Sequence, residues 1–567
     1  MAKQRLWLAE WGLVLLTAPG SALLAGPPAG DKTGAVATSD VKALADKIDR
    51  RLAVRWAAAK VTPVARADDA EFLRRVYLDI AGHIPSVSEA RRFLEDNKPD
   101  KRQRLVNDLL KGGGYVNHFT NVWRALWMAE ADTSFVGRYF VPGFENWLRK
   151  ELEKNAGYDR IVGEILTVSI AQNNNQFFDF YGNMSDPKPT GFYLSKEAKP
   201  ENLAAATARM FLGVRLECAQ CHDHPFATWK REQFWGLASF FAGIQRQEQG
   251  DFVFPTREIA DRREMAIPGS DRVVQASFLD GTEPQWKFKV GSRVTLADWV
   301  TSPKNPYFAR AAVNRMWAHF FGFALTEPVD DLTGSETVAY HPELLDELAR
   351  EFAAHKFDLK FLIRVLTATQ AYQLTSQTTP HNSADPHLFY RMAVKGLTPE
   401  QLFDSLVTCL YYQEQKNNQP FFVFDLNSPR AKFLEKFNNR NDKPTEPQTS
   451  IIQALALMNS SFVADATNLE RSEMLTGVAD FPLWGTAQRI ETLYLAALAR
   501  KPRPEETARL VKYVDSAPGT VSAKGFLEGL QSWMDNRKTE RKPTGKDQAL
   551  ADVLWALLNS SEFILNH

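Results

Sequence analysis

Cysteine is scarce: three in 567 residues. That excludes a disulfide-stapled secreted scaffold, which needs many more crosslinks per unit length. Net charge is absent as well, with 68 basic and 68 acidic side chains. A chain-wide electrostatic grip on nucleic acid needs a basic surplus, so nucleic acid is not an expected partner. Long apolar runs are missing beyond the first residues: no later stretch approaches the about 18 apolar residues of a membrane span. There is no P-loop, no Rossmann glycine pattern, no H-E-x-x-H and no G-x-S-x-G, so nucleotide, zinc-protease and serine-hydrolase chemistry lose their usual signatures. Apolar residues at 44% and charged residues at 24% are those of an ordinary globular protein.

What is present begins at the N-terminus. Lys3 and Arg5 precede the mostly apolar run Leu6–Leu16, and small residues follow around Gly20 to Gly26. This layout predicts a signal peptide over 1–26, with a linker over 27–39. The mature protein is then expected to be periplasmic or secreted, with no membrane span after cleavage.

The rest reads as mainly α. Apolar residues recur at helical spacing in Asp40–Lys60 and Glu71–Ala81, and Ser86 with Glu89 forms a capping box. Further helices are expected at Pro99–Leu110, Phe144–Asn155, Tyr158–Ser169, Pro200–Leu212, Pro306–Phe321, Pro342–His355, Leu359–Tyr372, Pro399–Tyr412, Ser450–Met458, Arg489–Arg500 and Ala549–Leu557. Gln172–Pro189 and Gln415–Pro447 are polar and read as long loops. Short β-prone runs at Phe252–Phe254, Val273–Phe278 and Trp286–Val290 alternate with Gly, Pro and Asp. The expected architecture is two helical domains, 40–246 and 295–567, joined by a small β-rich connector at 247–294.

The chemistry concentrates in Cys218-Ala219-Gln220-Cys221-His222-Asp223-His224. C-x-x-C-H is the pattern for covalent c-type haem: two thiols add to the two vinyl groups, and the next histidine lies under the iron as axial ligand. This makes haem c the expected cofactor, bound by Cys218, Cys221 and His222. His224 is too near His222 to reach the opposite face of the same ring. A sixth ligand would come from elsewhere, and Met265 is a candidate. Zinc held by Cys218, Cys221 and His224 is an alternative, as are a Cys218–Cys221 disulfide and a reduced pair without cofactor. Cys409, on an apolar helix face, reads as a core thiol.

The stretch from Phe211 through the motif to Phe241, with Phe72–Asn97 upstream, resembles the planctomycete cytochrome-associated family of unknown function. Leu296–Gly322, Glu327–Leu332, His341–Phe352, Phe357–Ser376 and the C-terminal segments resemble the planctomycete-specific domain that accompanies it. The resemblance implies an exported two-domain protein and delivers no established activity. Many relatives carry a separate cytochrome c module, for which the sequence before Asp40 leaves no room, so any haem is expected at Cys218.

Other polar groups point less clearly. Asn314 and Arg315, near Trp317 and His319, could bind a carboxylate or sugar, and Asp330, Asp331 and His341 could ligate a metal. The plainer reading is an Arg315–Asp330 ion pair and a helix start at His341. Arg74, Arg75, Asp79 and His83 read as scaffold. The 14 Trp and 37 Phe could line a polysaccharide or haem pocket, but large aromatics mostly fill cores. The leading expectation is an exported c-type haem protein that transfers electrons, alone or within a larger assembly, to an unidentified redox partner protein. The alternatives are a binding or assembly protein with a zinc or disulfide cluster, and a polysaccharide-active enzyme.

Overall fold

The computed structural model describes residues 38–132, 135–170, 187–224, 227–249, 252–377, 384–411, 428–437, 463–464, 467–469, 472–481, 483–518 and 544–567. The expected signal peptide and the Ser450–Met458 helix lie outside the described residues, as does most of both long loops.

One helix organises the rest. Asp69–Ala81 starts where the Asp68 carboxylate accepts from the Glu71 N–H, and it ends at Gly82, whose φ of 76° only glycine adopts cheaply. From Phe72 to Ala81 every side chain is buried. A helix buried on all sides must partner its charges internally, and this one does. The Arg74 guanidinium donates to the carbonyls of Ala497 and Phe563, at 3.2 and 2.6 Å. Arg75 donates to the carbonyls of Tyr372 and Leu374, at 2.7 and 2.9 Å, and to the Glu71 carboxylate at 2.6 Å. The Asp79 carboxylate accepts from the Tyr372 hydroxyl (2.8 Å), Lys395 Nζ (2.6 Å) and Asn566 Nδ2 (2.7 Å). The reading of Arg74, Arg75 and Asp79 as scaffold therefore stands. His83 bonds locally, to the Ile84 carbonyl.

The partners of this helix come from far along the chain, so the N-terminal and C-terminal helical regions share one hydrophobic core. Within it Trp123 stacks on Trp127 at 5.0 Å between ring centroids, and Trp317 stacks on Phe321 at 4.1 Å. These aromatics are packed inside rather than displayed.

The Ser86–Glu89 capping box forms. The expected helices appear with shifted ends, such as Thr38–Ala59, Phe308–Phe321, Pro342–Ala354 and Gly545–Leu558. The connector carries two antiparallel hairpins: β1 (Ile244–Gln249) with β2 (Phe252–Glu258), and β3 (Glu264–Ala266) with β4 (Val273–Gln275). Trp286–Val290 is not a strand; Trp286 is held instead by Arg263, whose guanidinium lies 4.1 Å from its ring centre. Part of the second expected loop is helical, at Pro429–Phe437. Phe433 packs on Phe403 there, and Arg430 pairs with Asp404, contacts that a polar composition does not announce. No helix among the described residues is long and apolar enough to cross a membrane.

Candidate functional site

The Cys218 motif follows an abrupt change of course. Pro200 opens the Pro200–Thr207 helix, and a wider π turn, Ala208–Leu212, closes it. Gly213 reverses the chain with φ 64°. A Cβ there would lie 3.1 Å from Leu332 Cγ and 3.2 Å from Ala311 Cβ, so both backbone freedom and space demand glycine. Val214 and Leu216 then bury completely, and the motif forms a short 3₁₀ turn, Glu217–Gln220.

Only Ala219 of that turn is buried. It is the anchor, and its N–H donates to the Leu216 carbonyl at 2.9 Å. Cys218, Cys221, His222 and Asp223 all point outward and are exposed. Both motif cysteines are free thiols. Behind the turn, the Gln220 carbonyl accepts from Trp235 Nε1 at 3.0 Å and from Arg231 Nε at 3.3 Å. Arg231 also donates to the Pro268 carbonyl at 2.5 Å, tying the β3–β4 hairpin to the same point. Asp223 caps the following helix, accepting from the Arg231 N–H at 3.0 Å, and pairs with Lys230 at 2.9 Å. Those two bonds hold its carboxyl below the usual range, the Lys230 ammonium acting most.

The tautomer of His222 follows from its partner. Nδ1 lies 2.7 Å from the Asp223 carbonyl oxygen. A carbonyl only accepts, so Nδ1 carries the proton in the neutral ring, and Nε2 keeps its lone pair. His224 is the reverse: Nδ1 accepts from the Ala227 N–H at 3.0 Å, so the proton sits on Nε2. The His224 backbone N–H donates to the Trp229 carbonyl at 2.9 Å, closing the loop. Pro225 and Phe226, between these bonds, lie outside the described residues. Among the described residues no three His, Cys, Asp or Glu side chains gather as a metal site would require. Met265 sits in β3, half-buried against the core.

The second-domain candidates separate. Asn314 is buried and brackets Thr326, donating to its carbonyl at 2.8 Å and accepting from its N–H at 3.0 Å. Arg315 does not hydrogen-bond Asp330; it donates to the Met210 carbonyl at 2.8 Å. The partners of Asp330 are Arg209 Nε at 2.6 Å and Arg215 Nη2 at 2.8 Å. Burial alone would raise the Asp330 carboxyl, but the two guanidiniums outweigh it and hold the group below the usual range. Asp331 accepts from the Thr333 N–H in a turn. His341 precedes the Pro342–Ala354 helix and hydrogen-bonds the His387 carbonyl at 2.7 Å. His319 is half-buried and bonds the Asp79 carbonyl at 3.0 Å. Cys409 is a core thiol, pushed by burial up to about 12.

Sequence reasoning missed Arg209, Arg215 and Arg231. Each acts across a gap in the chain that no local spacing reveals, and Asp330 was noticed with the wrong partner.

Residues 47–246 match the PSCyt2 family, described as a protein of unknown function (DUF1549), and residues 292–514 match the PSD1 family, likewise of unknown function (DUF1553). The chain carries both domains. No curated protein and no solved structure matches it.

Proposed function

We propose, from the premise that this chain joins a PSCyt2 to a PSD1 domain, that it is an exported c-type haem protein passing electrons to a partner protein. The observation that carries this reading is the state of His222 beside two outward thiols. Its Nδ1–H is fixed by the Asp223 carbonyl at 2.7 Å, which leaves the lone pair on Nε2, the tautomer in which this imidazole would hold an iron. Cys218 and Cys221 stand one turn apart and exposed, so both could be reached by a planar group lying over the loop. A covalently held haem would supply a one-electron couple there. The protein's own part is to tether, to orient the imidazole and to present an edge to a partner; few further catalytic groups are demanded.

The full chain, made with its leader in a host with haem-attachment machinery, should be red and give a c-type pyridine haemochrome. His222→Ala should keep the tether but lose the native axial spectrum. A colourless product, from cells that mature a control cytochrome c, would contradict the reading.

A second reading has one observation in its favour. Two exposed thiols three positions apart also suit a dithiol that closes to a disulfide. Zinc is less favoured, because the His224 Nδ1 already accepts the Ala227 N–H. The polysaccharide-enzyme reading gains no converging carboxylate pair, since Asp330 is committed to two arginines and Asp331 to a turn.

A further inference from the structure

The β-rich connector ends in a turn whose base and exit are pinned while its tip is free. At the base, the Trp286 ring lies 5.9 Å from the ring of buried Phe240 and 4.1 Å from the Arg263 guanidinium. At the exit, the Ser292 N–H donates to the Ala260 carbonyl at 3.2 Å, and the Ser292 hydroxyl to the Phe240 carbonyl at 2.8 Å. Between these anchors the Val290 N–H closes the turn on the Lys287 carbonyl at 3.2 Å, with Lys289 at a φ of 60°. Phe288 stands at the tip, 90% exposed. Ile259 and Val294, on the two segments joined at the exit, are exposed as well.

One exposed apolar side chain needs no explanation by itself; the charges around this one supply it. Lys287 and Lys289 flank Phe288, and the Lys289 ammonium lies 5.4 Å from its ring centre. No carboxylate occurs from Pro284 to Ala297. Arg262, exposed two residues from Ala260, adds a third cation. The chain as a whole is neutral, so this is a local excess. Asp298 approaches Lys287 at 4.0 Å, but both side chains are largely exposed and salt screens such a pair. Asp261 is taken by Arg263 at 3.3 Å. A ring between two lysines is amphipathic within a single turn. The ring can enter the boundary of the acyl chains while the lysine stems lie along it and the ammoniums stay among the headgroups. A protein partner would have to supply a pocket of matching shape; a lipid surface accepts a convex tip as it is.

We infer that the Lys287-Phe288-Lys289 turn is a peripheral anchor for a lipid surface with anionic headgroups. Phe288 is the inserted residue, and the two lysines, with Arg262, are the headgroup contacts. The anchor needs no membrane-spanning helix, goes beyond the proposed electron transfer and holds whether or not haem is bound. One ring and a few cations make a reversible attachment, not a permanent one.

The probe is a set of phosphatidylcholine vesicles with and without phosphatidylglycerol. They are sedimented with the full mature chain, recovered after export with loss of the leader confirmed by intact mass. The parent chain should bind the vesicles that contain phosphatidylglycerol, bind those without it far less, and be released by salt. Phe288→Ser should bind about fivefold more weakly or worse. Lys287→Gln with Lys289→Gln should weaken binding by about tenfold and flatten its salt dependence. Val54, exposed on the Thr38–Ala59 helix, is the control: Val54→Ser should bind like the parent chain. All four side chains are exposed, so thermal unfolding of every variant should match the parent chain. A parent chain that ignores the anionic vesicles, equal binding by Phe288→Ser, or equal binding to phosphatidylcholine alone would overturn the inference. So would self-association that depends on Phe288 without vesicle binding, which would assign the turn to a second copy of the chain. Haem content does not enter the readout, so this outcome is separate from the success of haem attachment.

Discussion

Two clusters of titratable groups occupy opposite situations in this protein. Around Asp79 the charges are buried and mutually satisfied: Tyr372, Lys395 and Asn566 surround the carboxylate, with Arg75 and His319 close by. At the Cys218 loop the backbone is held firmly from behind, while both thiols and one imidazole lone pair face outward. In the first cluster the carboxylate and the cations around it are paired with one another inside the fold. The second keeps reactive capacity unspent.

The contrast breaks most severely at Asp79. Asp79→Ala leaves the largely enclosed Lys395 ammonium without its counter-charge, with only the His319 and Phe320 carbonyls as acceptors, and removes the acceptor of the Tyr372 hydroxyl. Breaking one side of a buried pair costs about 3–5 kcal/mol, so the variant should melt far below the parent chain or fail to accumulate. Thermal unfolding followed by circular dichroism reads this directly.

Acid should weaken the same region. His118 is held well below the usual histidine range, by burial first and then by His319, His83 and Lys395. His319 is held low by burial and Lys395, against Asp79. Both rings are neutral when folded but protonate near pH 6.5 when unfolded. The unfolded state thus binds more protons, and stability is lost as pH falls below about 6.5, toward the depressed folded values. The slope is at most about 1.4 kcal/mol per pH unit for each group. Melting temperatures from pH 8 to 5 should fall along this course, and His118→Gln should flatten it.

A smaller effect is expected behind the motif. Trp235→Phe keeps one aromatic ring and removes the fused five-membered ring with the N–H that meets the Gln220 carbonyl. The cost should be about 1–3 kcal/mol, the lost hydrogen bond and the small cavity together, with faster hydrogen exchange at the Ala219 amide than in the parent chain. Smallest of all in stability is Cys218→Ser with Cys221→Ser. Both thiols are exposed, so denaturant unfolding should shift by less than about 0.5 kcal/mol, while haem attachment is abolished.

The helical class, the capping box and the motif were legible because each is written in local spacing. Ala219 as anchor follows from no local rule: it is the only buried side chain of a one-turn element. The β connector was legible in place but not in extent, since Trp286 is fixed by Arg263 and Phe240 rather than by a strand partner. The Pro429–Phe437 helix was hidden because Phe433 packs on Phe403 and Arg430 pairs with Asp404, both far back on the Pro399–Leu410 helix. The site's support was hidden for the same reason. Asp330 lies more than 100 residues from Arg209 and Arg215, and buried charges choose partners by proximity in the fold, not along the chain.

The proposed function requires haem on the Cys218 loop, held through two thioethers. Peptide mass spectrometry of the full chain, matured in a host with haem-attachment machinery, tests it most directly. The peptide containing Cys218, Cys221 and His222 should carry the mass of one haem, and that of the Cys218→Ser, Cys221→Ser double variant should not. The same peptide with two unmodified thiols or a disulfide, beside a control cytochrome c that matured normally, would contradict it.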